Sequence, residues 1–320
     1  VRVLITGIAG FAGSHLADYL LAQNDPALEL VGVSQSGGEN VPTDARIRFV
    51  VGDLSDPRFT SDLLAQVSPE RIYHLAAQAF VPVSWQDPWA TLENNIRAQT
   101  NLLHAAAQQK SNARLLIVGS NEEYGRVTSA DLPIDEDTPL RPDSPYGVSK
   151  ITQDFLGLQY FLSHQLQVVR VRPFNHIGPR QNDRFVTASF AKQIAEIEAG
   201  KRAPKLRVGN LDARRDFTDV RDMMRGYVMA LERGNAGDVY NIGSGIPRAI
   251  REIVEVYQSL ARVPFEVEYD PDRMRPSDTP ISYCDATKFK RATGWEPQFS
   301  FEETLRAILD DWRGRISPNK

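Results

Sequence analysis

The chain has 320 residues, 42% hydrophobic and 24% charged, with a net charge of −4. That length suits one large domain or two fused ones, and the charge gives no general attraction to nucleic acid or an anionic membrane. The single cysteine, Cys284, excludes an internal disulfide and a structural zinc site, so no metal is expected. No apolar run approaches the ~20 residues needed to cross a bilayer, and the opening apolar run meets glycines at once, unlike a secretory leader. A cytoplasmic protein is expected.

In chain order, residues 1–6 read as a buried strand and 14–23 as the helix after it. Residues 29–33, 47–51 and 71–76 read as further strands, 94–107 as a long helix and 113–119 as the next strand. A helix over 146–162 and a strand over 167–172 continue the alternation. Strands and helices at this spacing predict a parallel sheet covered on both faces: an α/β, Rossmann-type, doubly wound fold. After Pro173 the loops lengthen and arginines cluster, which predicts a smaller α/β substrate-binding lobe. A strand over 238–242, ending in Gly243-Ser244-Gly245, can return to the main sheet. The expected division is 1–175 with about 236–249 for the nucleotide domain, and about 176–235 with 250–320 for the lobe.

Gly7-Ile8-Ala9-Gly10-Phe11-Ala12-Gly13 lies between the first strand and the first helix. Glycines there permit a tight turn and let the backbone approach a pyrophosphate at the helix N-terminus. The position favours that role over packing alone. At the end of the second strand an acid would bind the free ribose 2′-hydroxyl of NAD, but Val33-Ser34-Gln35-Ser36 holds none. Ser34 can instead hydrogen-bond a 2′-phosphate, so NADP(H) is preferred and NAD(H) is possible. Asp53-Leu54 can reach the adenine, although a helix N-cap before Asp56-Pro57 explains Asp53 nearly as well. Leu75-Ala76-Ala77 offers small residues that let the backbone pass close to a cofactor; His74 before them is assigned no chemistry.

Tyr146 and Lys150 are four apart, on one face of a helix that Pro145 starts. Ser120 follows the preceding strand, at the edge where open α/β sheets bind ligands. Reducing a ketone needs a proton donor at the developing alkoxide. A tyrosine, whose phenol ordinarily ionises at about pH 10, can supply it if Lys150 lowers that value, while Ser120 holds the oxygen. In Ser120-Asn121-Glu122-Glu123-Tyr124-Gly125, paired glutamates ordinarily mark a solvated turn, yet Glu122 beside a carbonyl can act as a base.

Taken together, Gly7/Gly10/Gly13, the His74–Gln78 segment, Asn95, Ser120 and Tyr146/Lys150 resemble the extended short-chain dehydrogenase/reductases over essentially the whole chain. The resemblance is to their GDP-sugar branch, which holds 4,6-dehydratases and 4-keto-6-deoxy-mannose reductases. It is carried by Arg172-Pro173-Phe174-Asn175-His176-Ile177-Gly178-Pro179-Arg180-Gln181, by Arg214-Arg215-Asp216-Phe217-Thr218-Asp219, and by Arg273-Met274-Arg275-Pro276-Ser277. The resemblance implies a GDP-activated 6-deoxyhexose substrate, wrapped by these segments. A diphosphate needs local cations, for which Lys192, Arg215 and Arg275 are candidates, each with a solvated surface charge as the alternative. Asn175 can bond the diphosphate or sugar, and Ser84 the hexose. The reductase is put first because residues 34–40 lack the arginine-rich stretch of the dehydratases and Ile177-Gly178-Pro179 resembles the reductases. A dehydratase using Glu122, or a UDP-sugar 4-epimerase, are the alternatives. The resemblance also implies a homodimer through a four-helix contact.

Overall fold

The computed structural model describes residues 1–38, 40–273 and 279–317. Its first half alternates β1 (Arg2–Thr6), α1 (Phe11–Ala22), β2 (Glu29–Ser34), β3 (Ile47–Val51), α2 (Pro57–Val67), β4 (Arg71–His74), α3 (Val81–Gln86), α4 (Pro88–Gln108), β5 (Arg114–Val118), α5 (Pro145–His164) and β6 (Gln167–Pro173). Then come β7 (Asn175–Ile177), α6 (Val186–Glu198), β8 (Lys205–Val208), β9 (Arg214–Asp219), α7 (Val220–Arg233), β10 (Val239–Ile242), β11 (Pro247–Ala249), α8 (Ile250–Leu260), β12 (Glu266–Tyr269), β13 (Ile281–Ser282), α9 (Thr287–Thr293) and α10 (Phe301–Ile316).

Local chemistry sets where the main helices begin. Helices α2, α4 and α5 open on proline behind a capping side chain. Asp56 accepts from the Arg58 N–H at 2.8 Å, Asp87 from Ala90 at 2.9 Å and Ser144 from Gly147 at 3.0 Å. Proline suits the first helical position because an N–H there would have no partner within the helix.

The main sheet runs β10-β6-β5-β4-β1-β2-β3, with every pairing parallel. From β1 the chain winds outward through β2 and β3, then crosses to β4 on the other side of β1. That reversal opens a crevice at the carboxyl ends of β1 and β4. Central strands are covered on both faces: Val3, Leu4, Ile5, Leu115, Leu116 and Ile117 are all buried, which is why they read as continuous apolar runs. Val3 and Ile5 pack with α1 and α7 around Leu16, Leu20, Met223 and Tyr227. Leu4 points the other way, into the layer of Leu63, Leu102, Leu103 and Tyr160. Each fully buried leucine contributes about 1.5–3 kcal/mol relative to exposure.

In the lobe, β9 pairs with β7, β11 and β13, and β8 pairs with β12. Helices α6, α8 and α10 close a separate core around Ile194, Leu206, Ile253 and Leu305. Asp216 of β9 ties this lobe to the main sheet, accepting from the Ser244 and Gly245 N–H groups after β10, both at 2.9 Å. The placement of α7 and of Phe289 and Trp295 differs from the expected division. They pack in the main-sheet core, because an amphipathic period marks a helix without saying which sheet its face meets. Among the described residues, no helix is long and apolar enough to cross a membrane.

Candidate active site

The glycine turn sits at the mouth of the crevice. Gly7 has φ +72°, and a Cβ there would lie 2.9 Å from Ala76 Cα; one on Gly13 would lie 2.2 Å from the Gly7 carbonyl oxygen. The turn therefore touches the end of β4 in front and the start of α1 behind. Helix α1 begins behind Gly10, which has no side chain to cap it. Its first-turn amides, including those of Phe11 and Ala12, lack partners within the helix and favour an anion. The Phe11 ring stacks on His176 (5.8 Å, 3°) and meets His15 edge-on (5.4 Å, 83°), joining the phosphate turn to β7 of the lobe. Burial pulls both imidazoles down, His15 to about 4.

Thr6, at the end of β1, organises the facing wall: its Oγ1 accepts from the Leu75 and Ala76 N–H groups, both at 3.1 Å. It also bonds His74 Nδ1 at 2.9 Å. Burial, then Lys150, pull His74 to about 3, so its imidazole is neutral. Residues 75–78, Ala77 among them, stay partly exposed. Ser34 ends β2 half-buried, and its carbonyl accepts the Gly52 N–H at 3.0 Å. Asp53 accepts from Gln35 Nε2 (2.9 Å) and the Ser55 N–H (2.8 Å), while Asp56 caps α2. The helix-cap alternative for Asp53 is thereby overturned. Leu54 is buried, and its carbonyl accepts from Asn101 at 2.9 Å. A turn that glycine alone can occupy, open amides and a low wall fit the pyrophosphate of a dinucleotide.

Ser120 caps the 3-10 turn of Asn121–Glu123 just after β5, and its Oγ accepts the Glu122 N–H at 3.2 Å. The Glu122 carbonyl oxygen lies 2.6 Å from where a Gly147 Cβ would be. Glycine beside Tyr146 thus lets α5 lie directly on the Ser120 turn. Tyr146 is buried and its hydroxyl interacts with Ser120. Lys150 Nζ sits 5.8 Å from the Tyr146 ring centre and donates to the Val118 carbonyl at 2.9 Å. Asn95 braces the arrangement: Oδ1 accepts the Gln78 N–H at 2.7 Å and Nδ2 lies 3.0 Å from Ser149 Oγ, which donates to the Tyr146 carbonyl at 2.7 Å. Ser120, Tyr146 and Lys150 converge at the carboxyl end of β5.

The electrostatics correct one expectation. Burial, and not the Lys150 ammonium, dominates at the Tyr146 phenol. Burial pushes the phenol up, Ser120 pulls it down, and the Glu122 and Glu123 carboxyls add to the rise. Lys150 is itself pulled down to about 8 by burial, with Glu123 opposing. The reason is geometric, since the ammonium is bonded to a carbonyl and not to the phenol oxygen. Tyr146 is held in its acid form, a weaker acid than a free phenol but still able to protonate the more basic alkoxide.

A family model described as GDP-mannose 4,6 dehydratase matches residues 4–308. The chain belongs to the GDP-mannose 4,6 dehydratase family. This family member is 38% identical over 315 residues to the GDP-6-deoxy-D-mannose reductase of Pseudomonas aeruginosa, covering 98% of each chain. Its fold superposes with a TM-score of 0.85 on the structure of RMD from Pseudomonas aeruginosa complexed with NADPH, at 36% identity over 98% of this chain and 100% of that one. It is also similar to the Thermus thermophilus UDP-glucose 4-epimerase complexed with NAD (TM-score 0.86, 32% identity, 98% and 99% covered).

The substrate-side residues of this family member fare less evenly. Ser84 is fully buried and donates to the Val81 carbonyl at 2.7 Å. It turns its hydroxyl onto its own helix and offers no surface to a hexose, against expectation. Lys192 is bound to Asp183 at 2.7 Å and lies over Trp312, so its charge is already matched. Asn175 is half-buried in β7, and Arg215 lies in β9, donating to the Arg214 carbonyl at 2.9 Å. Arg275 lies outside the described residues. Sequence reasoning missed the contact of Phe80 with Phe185 (5.7 Å) and Arg184 (5.5 Å), which joins the β4 loop to the segment before α6. It also missed Thr6, whose signal was a hydroxyl ending a buried strand beside the glycine turn.

Proposed function

We propose that this chain reduces the C4 ketone of GDP-4-keto-6-deoxy-D-mannose to GDP-D-rhamnose, taking hydride from NADPH and a proton from Tyr146. The observation that carries the substrate choice is the 38% identity, across 98% of both chains, to a GDP-6-deoxy-D-mannose reductase. The convergence of Ser120, Tyr146 and Lys150 supports the chemistry. When bound, the nicotinamide supplies the hydride. The first-turn amides of α1 hold the pyrophosphate, and the Leu75–Ala77 wall lets the cofactor lie close to β4. Ser120 holds the ketone oxygen in line with the Tyr146 hydroxyl. Tyr146, buried and protonated, gives its proton to the oxygen as the alkoxide forms. Lys150 presents its ammonium to the ribose hydroxyls. The end of β2 offers Ser34 and no acid, which supports NADP(H) over NAD(H) while allowing both.

Arg215 and Arg275 are assigned to the diphosphate and Asn175 to the diphosphate or sugar; Lys192 joins them only if the diphosphate displaces Asp183. Dehydration of GDP-mannose is the second reading, and Glu122, close enough to raise the Tyr146 pKa, is the observation favouring it. A UDP-sugar 4-epimerase is the third, supported by the epimerase likeness alone. The chain is further proposed to form a homodimer through α4 and α5. Val148, Phe155 and Leu162 are exposed at seven-residue spacing along α5, with Trp89 exposed on α4. A reducing cytoplasm belongs to the same reading, Cys284 being the one cysteine of the chain. The test is to incubate the enzyme with GDP-mannose alone, and separately with the 4-keto-6-deoxy sugar nucleotide plus NADPH. Turnover only in the second is expected; conversion of GDP-mannose without added reductant would assign the dehydratase instead.

A further inference from the structure

The adjacent glutamates of the Ser120 turn have opposite environments. Glu122 is partly exposed, whereas Glu123 is completely buried. One oxygen of Glu123, Oε1, accepts the Ser120 N–H at 2.8 Å. The space it occupies exists because residue 119 is glycine, where a Cβ would lie 2.1 Å from that oxygen. The other oxygen lies 3.0 Å from Arg172 Nε, but that N–H is aimed at Asp154 Oδ2, 2.7 Å away. Glu123 thus receives charge from Arg172 without its hydrogen bond. Asp154 also binds Arg170 at 2.5 Å, and the second face of Arg172 meets the Tyr124 hydroxyl at 3.1 Å, which donates to Asn241 at 2.7 Å. All four charged side chains are buried.

Such a cluster is poorly explained by stability. Replacing buried ion pairs with apolar residues of similar volume is often neutral or stabilising, and a leucine would fill the Glu123 space. What the leucine would lack is the acceptor for the Ser120 N–H. Ser120 has extended backbone (φ −164°, ψ 152°) before a turn of only three residues, so that hydrogen bond anchors it from behind. Asp154 follows Lys150 by one turn of α5, which links the cluster to the helix carrying Tyr146.

We propose that Glu123 is a positioning residue, which holds the backbone of Ser120 through its buried carboxyl so that the serine hydroxyl meets Tyr146 and the ketone oxygen in line. This inference rests on the catalytic roles proposed for Ser120 and Tyr146. Burial, then Asp154, push the Glu123 carboxyl well above the usual range, with Arg172 opposing, so an amide is a fair copy of it.

The test measures kcat, KM for the 4-keto-6-deoxy sugar nucleotide and NADPH affinity for the wild type, Tyr146→Phe, Glu123→Gln and Glu123→Leu. Glu123→Leu should lower kcat at least ~10-fold with KM and NADPH affinity within about 3-fold, because the cradle and the lobe are untouched. Glu123→Gln keeps an acceptor for the Ser120 N–H and should restore kcat to within about 3-fold of wild type. Should Glu123→Leu fail to fold, Glu123→Met, which also fills the space without an acceptor for the Ser120 N–H, must show the same kcat loss. Wild-type kcat in the leucine or methionine variant would overturn the proposal, as would equal losses in the glutamine and leucine variants. Undiminished turnover in Tyr146→Phe would instead overturn the reading of the site itself.

Discussion

Substituting Gly13 by alanine separates cofactor binding from proton delivery. The new methyl would sit 2.2 Å from the Gly7 carbonyl oxygen and 2.7 Å from Ile8 Cα, against an ordinary approach of 3.4–4 Å. Both obstacles are backbone, so neither can rotate aside. The start of α1 must therefore move away from the glycine turn by roughly 1 Å, and overpacking of this kind costs about 1–3 kcal/mol. The same movement withdraws the first-turn amides from the pyrophosphate. A loss of ~1.4 kcal/mol there is a tenfold weaker Kd, so a rise of about 10-fold or more is expected for NADPH. Ser120 stands just after β5 and Tyr146 on α5, apart from α1, and kcat at saturating NADPH should stay within about 3-fold of wild type. Fluorescence titration of NADPH with steady-state kinetics measures both quantities. An unchanged Kd would refute the assignment of this turn to the pyrophosphate.

Three further outcomes follow from the same geometry. Tyr146→Phe should cut kcat by roughly 10²–10⁴ and leave NADPH affinity intact by the same titration; a loss under fivefold would remove Tyr146 from the chemistry. Lys150, pulled down to about 8, carries its charge below that pH and loses it above. The pH profile of kcat/KM should therefore fall on the alkaline side near 8, and a profile flat to pH 10 would contradict a charged Lys150. Phe155→Lys combined with Leu162→Glu should convert a dimer to a monomer in sedimentation velocity, and a persisting dimer would place the interface elsewhere.

Much of this is legible in the sequence, for local reasons. Strands β1, β2 and β5 are buried on both faces and read as apolar runs, and β10 shows as a short strand ahead of Gly243-Ser244-Gly245. The glycine turn and the Tyr146–Lys150 spacing are set within a few residues, so their chemistry shows in one dimension. What stays hidden depends on tertiary partners. Nothing adjacent to Lys192 announces that Asp183, nine residues earlier, returns to neutralise it. Ser84 looks like any hydroxyl until its helix is packed. Glu122 and Glu123 are the same residue type side by side, and only tertiary packing leaves the first partly exposed and buries the second beside Arg172 of β6. Tyr146 shows the same limit. Its spacing from Lys150 suggests a lowered pKa, whereas burial dominates once α5 rests on the Ser120 turn.

The account is tested most directly by following the transferred hydride. NADPH deuterated at the transferring position, incubated with the 4-keto-6-deoxy sugar nucleotide, should place deuterium at C4 of the product, with one NADPH consumed per sugar. NMR of the product reads the position of the label. No label at C4, or conversion of C4-deuterated GDP-mannose with its label moved to C6 and no net NADPH consumed, would contradict the reductase.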